Sequence, residues 1–253
     1  SHYRPSAAYQ VSVVLIEAQH STRPTLPVLS RGEVDPISRR ERGVVVSPSM
    51  IAPLPTLEAI LPAGNQSVVQ LGQTTRIEGH HLDGSARTLQ LRNDRFDIDE
   101  TIAASGSSAA DHMNLLIPPA RAADFPVGIY DITASVVMPS ETQPRTSNRL
   151  ATVIAPRITN LPMNVVREGS DDAHIALSFT PALRPGQTDP LLLGSEEIRP
   201  EAFVAPTTTL TFIARNAAVG APLARRRIDG VDSPIVDRST TPPTFFDLRV
   251  TIT

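Results

Sequence analysis

"GQTTRIEGHHLDG", residues 72–84, packs a β-branched run, an adjacent histidine pair and three glycines into one short stretch. It is either a metal or catalytic site, or the corner of a β-fold whose histidines lie at the surface. Gly72 and Thr74 open a strand, Ile77 points inward, Gly79 turns, Leu82 returns to the core and Gly84 closes the loop, so every glycine has a backbone task. His80 and His81 are neighbours, and on extended chain neighbouring side chains diverge. Two ligands to one metal are better placed at i, i+2 on a strand or i, i+4 on a helix. The stretch is therefore read as a corner, with no metal and no cofactor expected.

The surrounding sequence supports strands on both sides of that corner. "GIYDITASVV", residues 128–137, alternates: Tyr130, Ile132, Ala134 and Val136 face one way, and Asp131, Thr133 and Ser135 the other. Further strands are read at Leu57 to Leu61, Val68 to Leu71, Thr74 to Gly79, Thr88 to Arg92, Asn114 to Ile117 and Arg149 to Ala155. Turns fall every ten to fifteen residues or so, the spacing of a sandwich. "APRITNLPMN" at 155–164 repeats the proline-then-strand opening of "APLPTLEAILPAG", so a second module is placed from about Pro156. Its strands are read at His174 to Thr180, Leu191 to Leu193, Thr208 to Ala214, Ala221 to Ile228 and the closing "FFDLRVTIT". Asp229-Gly230 is a two-residue hairpin turn, because a type I′ turn needs positive φ at both central positions. No helical period survives beyond about two turns, and "PARAADF" is the best candidate for a single one.

Upstream, "YQVSVVLIEA" puts Tyr9, Val11, Val13 and Leu15 on one face and Val14 and Ile16 on the other, a strand buried on both sides. The following residues supply it no partner, since "STRPTLPVLSRGEVDPISRRERG" alternates Pro, Arg and Ser without period. Residues 1–48 are thus expected to be the C-terminal strand and exit arm of another domain, 49–156 a Pro-rich linker with an immunoglobulin-like (Ig-like) sandwich, and 157–253 a second sandwich. The fold class is all-β, with tandem Ig-like sandwiches.

Composition agrees. The 253 residues are 40% hydrophobic but 4% aromatic, with no Trp, so the cores must be built from Val, Ile, Leu and Ala. With 24 prolines and 13 glycines, the chain suits short strands and many turns better than helices. The absence of cysteine excludes disulfides, thiolate nucleophiles and Cys-ligated metal. All 23 basic residues are Arg, which fits either genomic base composition or the bidentate contacts Arg makes at interfaces. With a net charge of -3 and no long basic run, nucleic acid is not expected as a partner. No apolar run is long enough for a transmembrane helix, and "SHYRPSAAYQ" does not read as a signal peptide.

Other polar clusters have solvated readings. "NDRFDIDE" gathers Asn93, Asp94, Asp97, Asp99 and Glu100 but lacks the glycine and the ordered spacing of a calcium loop. Asp171, Asp172 and His174 form a hairpin tip. Arg225, Arg226 and Arg227 are candidate interface residues, a basic edge on which Arg226 points away from the other two. There is no G-x-S-x-G elbow and no phosphate loop, so catalysis is not expected.

Two resemblances rest on these motifs. "PTLEAILPAG", G-x-T-x-x-I-x-G-x-x-L, "NLLIPP", "GIYDITASVV" and "SNRLATVIAPRIT" together resemble the IPT/TIG variety of Ig-like domain over about residues 54–156. That likeness implies a binding or spacing module without a shared active site. "SHYRPSAAYQVSVVLIEA" with "RPTLPVLSRG" is similar to the end of the N-terminal domain in the tail-cap, or terminator, family of phage-tail-like contractile injection systems. "ARRRIDGVDSPIVD" and "FFDLRVTIT" resemble that family's last module, although "VGAPLARRR" stands where related modules have Gly-x-Tyr.

This second likeness implies a structural cap or cap-adaptor subunit, not an enzyme, that closes the tube and sheath. Its partners would be further copies of itself in a homohexameric ring, the tube and sheath proteins, and a host surface or membrane-associated contact made through the Ig-like modules. It would reside in the bacterial cytoplasm within an assembled particle, or outside after release. Tyr9, Val11, Val13, Val14, Leu15 and Ile16 would be the assembly anchor. The alternative expectation is a carbohydrate- or cell-surface-binding pair of Ig-like modules, which a sugar-stacking aromatic platform would favour.

Overall fold

The computed structural model describes residues 54–253 apart from 108, 139, 140 and 170, together with 34, 36 and 39. The expected anchor strand, Tyr9 to Ile16, lies outside the described residues. The chain divides into two compact units, Ser1–Pro48 and Ser49–Thr253, and the second holds two β-sandwiches.

The first sandwich runs β1 (Thr56–Leu61), β2 (Thr74–His80), β3 (Ala86–Asn93), β4 (Ile98–Ala103), β5 (His112–Leu116), β6 (Gly128–Val137) and β7 (Arg145–Ile154). One sheet has the order β1-β2-β5 and the other β4-β3-β6-β7. In immunoglobulin lettering these are A-B-E against C′-C-F-G. Alternation along β6 decides its facing: Tyr130, Ile132, Ala134 and Val136 are all fully buried, and they pack with Leu89, Leu91, Ile77, Leu115 and Phe125 in one core. Tyr130 Oη donates to Pro126 O at 2.8 Å, the tyrosine corner of Ig-like domains, and its burial pushes the phenol pKa well up. Val69 bridges Ile154 in parallel, as an A′ strand beside G does. Elsewhere, Asn148 on β7 donates to Leu57 O at 2.9 Å and accepts from Leu57 N at 2.7 Å, so one side-chain amide stitches β1 to the opposite sheet.

The second sandwich begins two residues after β7. Strand β8 (Arg157–Ile158) and β9 (Met163–Val165) split one edge between two sheets; β10 (Ala173–Leu183), β11 (Leu191–Leu193), β12 (Glu196–Ile198), β13 (Thr207–Ala214) and β14 (Ala224–Ile228) follow. Then come β15 (Val231–Asp232), β16 (Val236–Asp237), β17 (Thr244–Phe245) and β18 (Val250–Ile252). The sheet β13-β10-β8 faces β12-β11-β14-β15, while β18 pairs in parallel with β9 and bridges back toward β14 through Leu223 and Arg249. Both sandwiches thus share the Ig-like plan, and the second lengthens the path from β14 to β18 with β15, β16 and β17.

The Asp229-Gly230 turn is as expected, with φ of 49° and 85° and with Ile228 paired to Val231 across it. Strand β4 was not expected: the acidic stretch after Asn93 turns through residues 94–97 and then pairs back on β3. "PARAADF" holds one 3-10 turn, Pro119–Arg121. Val68 to Leu71 forms a single bridge at Val69 in place of a strand.

Candidate functional site

The histidine corner resolves as backbone geometry. Strand β2 continues through His80, and the chain turns at His81, whose φ is 55°, a conformation His adopts more readily than most residues. The turn therefore comes two residues after the expected Gly79, because Gly79 has a different task. A Cβ there would stand 1.9 Å from Thr56 O, so only glycine lets β1 lie this close. His80 Nε2 sits 3.0 Å from Oε1 of Glu58, which occupies a bulge between Leu57 and Ala59. His81 Nδ1 is buried without a partner among the described residues. The two rings serve different neighbours, and no group of three or more His, Cys, Asp or Glu is arranged to hold a metal among the described residues.

The three arginines separate by strand parity. Arg225 and Arg227 face outward and share Asp232: Arg227 Nε lies 2.7 Å from Oδ1 and Arg225 Nη1 3.4 Å from Oδ2. Arg226 cannot serve as an interface residue, because it alternates with buried Ala224 and Ile228 and is itself 0% exposed. Its guanidinium pairs with the equally buried Asp189, Nε donating to Oδ1 at 3.0 Å and Nη2 to Oδ2. It also lies 3.4 Å above the centroid of the Phe179 ring, with Phe212 at 5.9 Å. Burial pushes its pKa down to about 9, still far enough above neutrality to keep it charged. One nitrogen, Nη1, is buried without a hydrogen bond among the described residues. Parity, in "ARRRI" with Ala224 and Ile228 apolar, was the sequence signal for this residue.

A densely bonded polar cluster joins the two sandwiches. Asp229 Oδ1 accepts from Thr188 N at 3.0 Å and from Thr188 Oγ1 at 3.1 Å, while Oδ2 accepts from Gln187 Nε2 at 2.8 Å. From the first sandwich, Arg95 Nη1 reaches the same Oδ2 at 2.9 Å. Burial works against the Asp229 charge, but Gln187, Thr188 and Arg95 outweigh it and hold the pKa below the usual carboxylate value. Gln187 Nε2 also donates to Val127 O at 3.2 Å, and Val127 itself packs into the second sandwich's core. Ala182 N donates to Ala122 O at 3.0 Å, Arg184 Nη2 to Ala123 O at 3.1 Å, and Gln66 Nε2 to Val236 O at 2.8 Å. Arg95 and Arg184 both lie over the Phe96 ring, at 5.1 and 5.5 Å. The tip of the β3–β4 hairpin and the loop before β6 are thereby clamped onto the β10–β11 loop and the β14–β15 turn.

Comparison with known proteins adds a family match over the second sandwich. Residues 156–252 match the model of DUF8756, a domain of unknown function. No curated protein matches the chain. Among solved structures, a putative bacterial DNA-binding protein from Bacteroides vulgatus aligns at 13% identity and TM-score 0.27, over 36% of this chain and 41% of that one. The I9–I11 tandem of titin aligns at 9% identity and TM-score 0.25, over 77% of this chain and 65% of that one. A DUF4785 family protein from Legionella pneumophila aligns at 11% identity and TM-score 0.31, over 76% of this chain and 56% of that one. The chain spans less than two thirds of each of these three structures. Strand order and the tyrosine corner, not these alignments, identify the Ig-like plan. Among the described residues no helix is long and apolar enough to cross a membrane.

Proposed function

We propose that the chain is a non-enzymatic structural subunit whose two sandwiches act as one stiff arm, in the manner of a cap or cap-adaptor of a contractile injection particle. The observation that carries the stiff-arm reading is the clamp around Asp229, which bonds loops of both sandwiches through a single carboxylate. A flexible tandem needs no such bracing, since domains joined by a free linker move relative to each other by default. The cap assignment draws on the resemblance of residues 1–30 or so to the end of a ring-forming domain. In this reading Tyr9, Val11, Val13, Val14, Leu15 and Ile16 lodge in a ring of copies, tube and sheath proteins lie beneath, and the arm carries Arg225 and Arg227 toward neighbours or a host surface. The particle assembles in the bacterial cytoplasm and is open to later release. Electron microscopy of the purified protein tests it: rings are expected, and a monomer persisting at high concentration overturns the cap assignment.

A further inference from the structure

A slot of about 410 Å³ opens between the sandwiches, lined by residues of both. Gln70 and Gln73 of the first sandwich form one wall. Arg157, Ile158 and Leu161 form another, and Pro234, Phe246 and Leu248 a third. Its volume falls in the range of small-ligand sites.

Two polar side chains, Gln70 and Arg157, are turned toward this slot. Gln70 is only 7% exposed, and its side chain lines the slot. Arg157 has neither a hydrogen bond nor an ion pair from its guanidinium among the described residues, and its Nε is buried with no partner. Burying a donor unsatisfied is costly, and a partly buried cation without a counter-charge costs more, so Arg157 is the group here that a ligand would relieve. The contrast within the same sandwich is sharp: Arg225, Arg226 and Arg227 each have a carboxylate. Asp247 also lines the slot, but it lies 3.9 Å from Arg249, which offsets its charge, and it makes no pair with Arg157.

We infer that this slot binds the C-terminal end of a peptide whose last residue is apolar. The terminal carboxylate takes the Arg157 guanidinium, the arrangement a planar cation with several donors favours. The preceding peptide group meets the side-chain amides of Gln70 and Gln73, each of which offers both a donor and an acceptor, as a peptide group requires. The terminal side chain enters against Ile158, Leu161 and Leu248. A plain aliphatic acid would satisfy the cation but make no use of either glutamine amide, which is why a peptide is preferred. The inference does not depend on the cap reading.

The test uses the full chain and three probes: fluorescein-labelled Gly-Leu-Leu with a free carboxylate, the same peptide as its C-terminal amide, and octanoate as a competitor. Anisotropy should show the free acid binding about tenfold or more tighter than the amide, the size of one charge-assisted contact. In Arg157→Gln the acid and the amide should bind alike, whereas Gln73→Ala should weaken both by several-fold while leaving the acid's preference intact. Thermal unfolding checks that each variant is folded, and should Arg157→Gln fail, Gln73→Ala alone decides. Equal binding of acid and amide to the unaltered protein overturns the proposal, as does no binding at millimolar peptide. Octanoate competing as well as the peptide, with no effect of Gln73→Ala, overturns the peptide assignment in favour of a small carboxylic acid.

Discussion

The two sandwiches share a plan but not a way of filling it. The first packs a mostly aliphatic cluster around Tyr130, whose hydroxyl is satisfied four residues upstream, and the polar side chains it buries among the described residues, Gln70, Thr75 and Asn93, are all neutral. The second encloses a charge, Arg226 against Asp189 with the Phe179 and Phe212 rings beside it, within a largely apolar core. A chain with 4% aromatic residues thus spends two of its seven phenylalanines on one cation. A core without buried charge gains stability from area and packing density. A buried pair is less certain to add stability, because the desolvation of both ions opposes their attraction, but losing one partner of it is severe. The second sandwich should therefore be the more fragile to single polar substitutions, and the first to changes in volume.

The sharpest way to break this contrast is Asp189→Ala, which strands a buried guanidinium. It should cost about 3–5 kcal/mol, seen in denaturant unfolding as a lowered midpoint. The double variant Asp189→Leu with Arg226→Met should recover much of that loss, since apolar isosteres of buried pairs are often neutral. Tyr130→Phe, the matching polar deletion in the first sandwich, leaves the buried Pro126 carbonyl unpaired and should cost about 1–3 kcal/mol.

Asp229→Asn tests the joint in place of either core. It should lower stability by about 1–2 kcal/mol and split one unfolding transition into two. Acid should mimic it. Because the native pKa lies below the ordinary 3.8, the carboxylate's contribution is complete above that value and disappears as pH falls through the lower native one. Hydrogen exchange at Ala182, whose amide bonds across the joint, should rise first. The smallest effect belongs to the histidine corner: His80→Ala should change stability by less than about 0.5 kcal/mol, as for other exposed pairs. Zn²⁺ should leave the melting temperature where it was.

Much of the fold was legible because alternation and turn chemistry are local. "GIYDITASVV" showed its buried face residue by residue, and Asp229-Gly230 showed its turn. Strand β4 was not legible, since Asp97, Asp99 and Glu100 look like a solvated loop until pairing with β3 puts Ile98 in the core. Arg226 was half legible: parity separated it from Arg225 and Arg227, but its partner Asp189 is 37 residues away and invisible to local pattern. The clamp was not legible at all. Arg95, Gln187 and Asp229 meet only because the two sandwiches dock, and no spacing rule links such positions. The slot was hidden for the same reason, with Gln70 and Arg157 contributed by different sandwiches.

Only Ala155 and Pro156 separate the last strand of one sandwich from the first of the next, and both are buried. Ala155 N is moreover tied to Val69 O at 2.9 Å. Such a joint has no slack to take up. A twist applied to the far end of the second sandwich would reach the first without lag, so that torque, and not only tension, passes along the molecule.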